Sequence, residues 1–354
     1  MIDILDRVTA RCQRAVDDGG YLGIQVYAAL DGRPMVDLAV GHRDPVRPLT
    51  ADDPLPWVCG AKAFGSIAVG QLVDQGLLDP WTAVADVVPE YAAGGKAGVT
   101  VAQLMSHSVP IADPSPTLPL MSDDEALAEV CRTPLTAPAG TRARYSGFAS
   151  WVVVAELVRR LSGRTYEDYV EEQILDPLRL DRTVFGRRRA DRQGGPPFGV
   201  LYEVVDGHFV PSSRLAPSAM APHLPGTGAH GTAAELARVY GCVATGRWGE
   251  RRLLSAEAVT AIARPYRAGL PDPTFGGLDL RWGLGVCIDG VLFGAPPTAC
   301  VVGQIGYNCS LVLADLTVGL VVAFLTSSVY AGTGRDRVEK RLVRDLYDMA
   351  AAER

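Results

Sequence analysis

The sequence has no long hydrophobic run: tracts such as GLVVAFL (319–325) fall well short of the ~20 apolar residues that a membrane-spanning helix needs. It lacks a basic excess as well. The formal net charge is -6, and the densest basic stretch, GRRRADR (186–192), reads as a solvated loop. Nucleic acid and anionic membrane surfaces are therefore not expected partners, since both need a basic patch. No basic region followed by an apolar core opens the chain, so no signal peptide is expected and the first twenty residues read as an amphipathic helix closed by Gly19-Gly20. The seven cysteines are odd in number and show no metal-type C-x-x-C spacing. They are expected to be reduced, mostly buried, and cytoplasmic. No His/Cys/Asp cluster has zinc-like spacing, so neither a metal nor another cofactor is expected.

What is present is ordinary globular composition, 48% hydrophobic and 21% charged, in a chain of 354 residues. That length favours two domains, or one with a large insertion. Two β-rich runs flank the turn signal DGRP within residues 21–44 and read as a hairpin. Residues 80–225 change character to helix-like stretches between Pro-rich loops. There TYEDYVEEQILDPLRL reads as a helix stopped by Pro177, with Thr165 and Asp168 as a capping box. Beyond about residue 230, TAAELARVYGCVATG and SAEAVTAIARP read as capped helices. RWGLGVCID, SLVLADL and GLVVAFLTSS read as strands, the last two joined at DLTVG, and an amphipathic helix ends the chain.

The expected fold class is therefore α+β: an antiparallel sheet flanked by helices, with a mostly helical domain inserted. Residues 1–58 and 230–354 would share the sheet, and 59–229 would hold a long amphipathic helix starting near Cys59 and the inserted domain. The active site would lie at the interface, where ligand sites concentrate. Cys59 stands three residues before Lys62, on one face of a helix.

Four segments in order resemble the serine β-lactamase and penicillin-binding-protein superfamily, in its class C and esterase-type branch. They are FGSIAVGQLVDQGLLD, VTVAQLMSHSVPI, PAGTRARYSGFASWVVVAELVRRLSGRTYEDYVEEQILDPLRLDRTVF and VVGQIGYNCSLVLADLTVGLVVAFLTS. The resemblance covers nearly the whole chain and implies a β-lactamase/transpeptidase-like fold with three catalytic motifs. Each is altered here. Ser-x-x-Lys is Cys59-Gly60-Ala61-Lys62, Tyr-x-Asn is Tyr145-Ser146-Gly147, and the third motif is Gln304-Ile305-Gly306.

By this resemblance Cys59 takes the nucleophile position, with Lys62 and Tyr145 as its proton-handling partners. A thiol begins near pKa ~8.5 and falls beside a cation or a helix start, so a thiolate–ammonium pair with Lys62 is expected. Tyr145 would act as general acid–base if Lys62 lowered its pKa. Gly147 lacks the family's amide and opens space. Gln304 cannot supply the cation that binds a substrate carboxylate, which disfavours β-lactam hydrolysis and D,D-peptidase work. The N–H groups of Cys59 and of Tyr307, after Gly306, would form the oxyanion hole. His107 reads as a structural hydrogen-bonded residue near a helix end, and His223 and His230 as part of a Gly-rich loop. The specificity walls are expected in segments 110–122, 193–226 and 265–277.

A cysteine nucleophile points as much to acyl transfer as to hydrolysis, because thioesters react well with amines and thiols. The leading expectation is an acyltransferase, or an ester, thioester or amide hydrolase, working through acyl-Cys59. Its partners would be small-molecule acyl donors and acceptors, free or carried on coenzyme A or a carrier protein, within a biosynthetic pathway. The alternatives are a catalytically retired binding protein with the same cleft, and a non-hydrolytic cyclase or isomerase.

Overall fold

The computed structural model describes residues 2–112, 116–187, 189, 200–212, 221, 223–331 and 338–353. Parts of the loops expected to form specificity walls (113–115, 193–199, 213–220 and 222) lie outside the described residues.

Strands from both ends of the chain build one five-stranded antiparallel sheet. β1 (Gly23–Leu30) and β2 (Arg33–Gly41) form the first hairpin. β3 (Val301–Gly306), β4 (Ser310–Asp315) and β5 (Leu320–Thr326) form a late meander. The strand order is β3-β4-β5-β1-β2, and β1 meets β5 with Ile24 opposite Thr326 and Leu30 opposite Leu320. β1, β4 and β5 are buried along their whole length, as their Val- and Leu-rich runs require when both faces are covered. Edge strand β2 instead mixes exposed and buried positions.

The helices follow from local signals. α1 (Ile2–Asp17) precedes the sheet, and α2 (Lys62–Asp74) follows the Cys59 turn. The middle of the chain contributes α3 (Val101–Met105), α4 (Asp123–Arg132), α5 (Ala149–Ser162) and α6 (Tyr166–Val170). α7 (Ala233–Thr245), α8 (Ala256–Ala263) and α9 (Val338–Ala352) return to the sheet. Thr100 and Ser122 make capping boxes, and Thr165, Thr232 and Ser255 cap their helices through the side chain. α1 and α9 cover one face of the sheet and α7 the other, so the molecule is layered, with α2 at the centre of a second core between α5, α7 and α8. No helix among the described residues is long and apolar enough to cross a membrane.

Four expectations are corrected. First, Cys59 is not in an α-helix but in a 3-10 turn, Val58–Ala61, and α2 is buried on nearly all sides rather than amphipathic. Glycines permit that depth: a Cβ at Gly65 would lie 2.6 Å from Trp151, and one at Gly70 2.9 Å from Leu254 and Ile262. Second, Pro177 does not stop the helix after Thr165. A wide π turn over Glu171–Leu175 leads into Asp176–Leu178, where Pro177 sits in the first turn and needs no N–H partner, and left-handed Arg179 ends the run. Third, RWGLGVCID is not a strand. Trp282 and Cys287 make only isolated bridges, and Gly285 turns the chain at φ +81. Fourth, Arg189 in the basic stretch is not solvated: it is buried, pairs with Asp176 at 3.2 Å and donates to the Leu180 carbonyl.

Candidate active site

Trp57 fixes the start of the site. Its N–H donates to the Ala229 carbonyl, and its own carbonyl accepts from Gly60 N–H and from the Ser310 hydroxyl of β4, at 2.9 Å each. The next residue, Val58, takes φ +46. For a β-branched side chain this is a strained conformation costing about 1–3 kcal/mol, and burial of Trp57 and Val58 holds it in place. The kink delivers Cys59, itself buried, to the junction of sheet and helices.

Lys62 follows one turn later with a fully buried side chain. Its Nζ donates to the carbonyls of Gly226 (2.9 Å) and Gly147 (3.1 Å), and lies 5.1 Å from the Trp151 ring centroid and 5.6 Å from that of Tyr145. Both rings are within cation–π range. Burial pulls the Lys62 pKa down, and the adjacent Cys59 thiol opposes the shift without cancelling it. The thiolate–ammonium pair expected from the sequence thus meets two opposed effects: desolvation disfavours the charged amine, and the Cys59 partner favours it.

The expectation for Tyr145 is corrected. Its pKa is pushed well above 10, first by burial and then by the neighbouring Cys59 thiol; Lys62 does not lower it. The hydroxyl makes no well-aligned hydrogen bond among the described residues, although the thiol lies close enough to shift it. A phenol that stays protonated is a proton donor. Aromatic contacts fix the ring: His107 at 4.3 Å, Phe275 at 5.3 Å and Trp282 at 5.6 Å between centroids. His107 does structural work. Its Nδ1 accepts the Ser146 N–H at 3.1 Å, which anchors the second motif, and burial keeps the imidazole neutral. His230 is likewise buried, its Nδ1 3.1 Å from the Gly228 carbonyl. His223 lies three residues before Gly226, half-buried, and lines a neighbouring cavity.

Gly147 puts its carbonyl where the resemblance led one to expect an amide side chain, and a Cβ there would meet no heavy atom within 4 Å. Gly306 is the opposite case. A Cβ there would sit 3.0 Å from both the Cys59 nitrogen and the Trp57 carbonyl oxygen and would collide with the Ser310 hydroxyl. The end of β3 thus lies directly against the Cys59 turn. Beyond it, Tyr307 (φ +35) and Asn308 (φ +61) turn the chain into β4, closed by Cys309 N–H to the Gly306 carbonyl at 2.9 Å. Neither Cys59 N–H nor Tyr307 N–H has a hydrogen-bond partner among the described residues, so both remain available as oxyanion donors. Gln304 departs from expectation. Its side chain is fully buried, its Oε1 accepts the Ile305 N–H at 3.1 Å, and it presents no exposed atom to a substrate carboxylate.

The site also contains residues that the sequence reading did not nominate. Trp151 and Trp282 wall it, and Phe275 closes against Tyr145. Arg267 and Asp272 form a fully buried ion pair at 2.9 Å, and the same guanidinium donates to the His107 carbonyl at 3.2 Å. Cys309 shares a small apolar cluster with Val58, Cys59 and Leu201; burial pushes its thiol up. Trp151 had a signal, six residues past Tyr145 on a helix. Arg267, Asp272 and Phe275 fall in segment 265–277, expected to form a specificity wall, but their individual roles had no signal, since the His107 carbonyl and Tyr145 ring they meet are remote in sequence.

The sequence model of the Beta-lactamase family matches residues 8–346. The esterase/beta-lactamase LipL of Mycobacterium tuberculosis is 26% identical over 285 residues, covering 72% of this chain and 65% of LipL, so the chain matches less than two thirds of that relative's length. A penicillin-binding protein homologue from Caulobacter crescentus superposes with a TM-score of 0.80 at 27% identity, covering 98% of this chain and 97% of the other. A family VIII carboxylesterase superposes with a TM-score of 0.81 at 24% identity, with the same coverage. With a match that runs from the first helix to the last, the chain belongs to the Beta-lactamase family.

Proposed function

We propose that the chain is a cysteine-dependent acyl-processing enzyme, an acyltransferase or an ester, thioester or amide hydrolase, that works through acyl-Cys59. The observation that carries this reading is the convergence of a desolvated Lys62 and a protonated Tyr145 on one thiol. In the proposed cycle, neutral Lys62 takes the Cys59 proton. The sulfur then attacks the acyl carbonyl, and the oxyanion is held by the N–H groups of Cys59 and Tyr307. Tyr145 gives its proton to the leaving group, and the Lys62 ammonium restores it. An amine, thiol or water then attacks the thioester and releases Cys59. Coenzyme A or a carrier protein is a suitable donor, since thiol–thioester exchange is facile. The esterase names of LipL and of the family VIII carboxylesterase support acyl chemistry. Burial of neutral Gln304 argues against β-lactam hydrolysis.

The test is intact mass after incubation with activated acyl thioesters. The native protein is expected to gain one acyl group, lost in Cys59→Ala. An unmodified native protein with every donor, together with a Cys59 inert to iodoacetamide, would overturn the proposal.

A further inference from the structure

The thiols of the chain divide by what surrounds them. Burial pushes Cys12, Cys242 and Cys287 up to about 12, and Cys309 up as well, so these stay protonated and react slowly with oxidants. Cys59 is buried too, yet its thiol lies within hydrogen-bond reach of two polar groups, Lys62 Nζ and the Tyr145 hydroxyl. Of these two neighbours Tyr145 stays a protonated phenol, which leaves the lysine nitrogen as the nucleophile.

Lys62 is placed to react with an oxidised Cys59. It stands three residues on, across one helical turn, where side chains meet. Its Nζ is oriented by the Gly147 and Gly226 carbonyls, and no carboxylate pairs with it among the described residues. Desolvation favours the uncharged amine, the form with a free lone pair. A sulfenic acid on Cys59 would thus be in contact with a nitrogen, in a space too closely packed for bulk water to compete, and sulfenic acids condense with thiols and nitrogens that touch them.

We propose that Cys59 and Lys62 form an oxidative modification site, at which hydrogen peroxide closes a reversible sulfur–nitrogen bond between the two side chains. The thiol first takes one peroxide oxygen and becomes a sulfenic acid, and the other oxygen leaves as water. The Lys62 Nζ lone pair then attacks Sγ. The S–O bond breaks, and the departing hydroxide takes a proton from the nitrogen and leaves as water. In sum a thiol, an amine and a peroxide give a sulfenamide and two waters; sulfur loses two electrons and peroxide gains them. The nitrogen keeps one N–H for one of its two carbonyls. The bridge bars oxidation to the irreversible sulfinic acid and silences both side chains until an external thiol opens it. Contact of the two side chains suffices for this; the acyl-Cys59 reading is not required.

The test treats the native protein with hydrogen peroxide, with no acyl donor present, and maps the peptide that carries residues 59–62 by mass. That peptide should become about 2 Da lighter, with fragmentation placing the link between Cys59 and Lys62, and dithiothreitol should restore its mass. Cys309→Ser should behave as the native protein does. Lys62→Met cannot form the bridge and should give a Cys59 sulfenic acid that dimedone labels; Lys62→Gln supplies the same readout if the first variant does not fold. A native Cys59 that is labelled by dimedone without any bridged peptide would overturn the proposal. So would a sulfinic acid, a disulfide to Cys309, or a thiol left unchanged by peroxide. Acylation of the reduced protein by thioesters is measured separately, so either reading can fail while the other stands.

Discussion

At the scale of single residues, the site depends on backbone placement as much as on side-chain chemistry. Gly306→Ala adds one carbon, but that carbon would press on the Cys59 nitrogen. It is expected to slow acylation of Cys59 by about a hundredfold, the cost of a misplaced nucleophile, and a mass-spectrometric time course would measure it. In the proposed cycle Lys62 supplies the pH dependence. Its pKa is lowered from 10.5, so the amine becomes neutral, and able to accept the thiol proton, as pH rises through that lowered value. The acylation rate should therefore climb with pH along a limb below 10.5, and Lys62→Met should abolish the limb; a limb unchanged in the variant would contradict the assignment. Tyr145→Phe should slow poor leaving groups by about a hundredfold and good ones less, as loss of a general acid requires. The positions of Cys59, Lys62 and Tyr145 were legible in the sequence because each belongs to a short motif. Their protonation was not: the shifts come from burial, and burial depends on Trp151, Gly226 and Trp282, which are remote from Cys59 in the chain.

Among elements, the most instructive is the irregular segment from Arg267 to Cys287. Its buried Arg267–Asp272 pair ties it to the His107 loop, and Asp272 Oδ1 also accepts the Thr274 N–H at 3.0 Å in the turn that carries Phe275 to Tyr145. Asp272→Asn would leave a guanidinium buried without its counter-charge and is expected to cost about 3–5 kcal/mol of stability, measurable by denaturant titration. Loss of the Phe275 contact should accompany it. Regular elements were legible where period and turn chemistry agree: the hairpin around DGRP, the β4–β5 pair around DLTVG, and the helices opened by Thr232 and Ser255. RWGLGVCID was misleading because its apolar residues suit a strand while its glycines bend it; a Cβ at Gly283 would collide with the Ile262 carbonyl. Pro177 misled for a complementary reason, since a π turn places it where its missing N–H costs nothing.

For the molecule as a whole, His230 joins distant segments: its strand pairs with Leu55–Pro56, and its backbone bridges Val184. Burial, opposed by the Gly228 hydrogen bond and aided by Arg43, lowers its pKa from 6.5 to about 4. The native state therefore holds a neutral imidazole that the unfolded chain would protonate. This contribution is complete above pH 6.5 and is lost as pH falls towards 4. It amounts to about 3 kcal/mol, so His230→Gln should flatten the acid limb of the stability profile by that much. The layered α+β architecture was legible from the alternation of β-rich ends and helical middle, while the way the layers meet was not. The pairing of β1 with β5 also sets an order in time. On a ribosome adding roughly 5–20 residues each second, β1 waits some 15–60 s for its partner. The turn that brings Gly306 and Tyr307 to Cys59 emerges in the same late interval. The nascent chain thus carries the Cys59 thiol long before the strand turn that completes its surroundings exists.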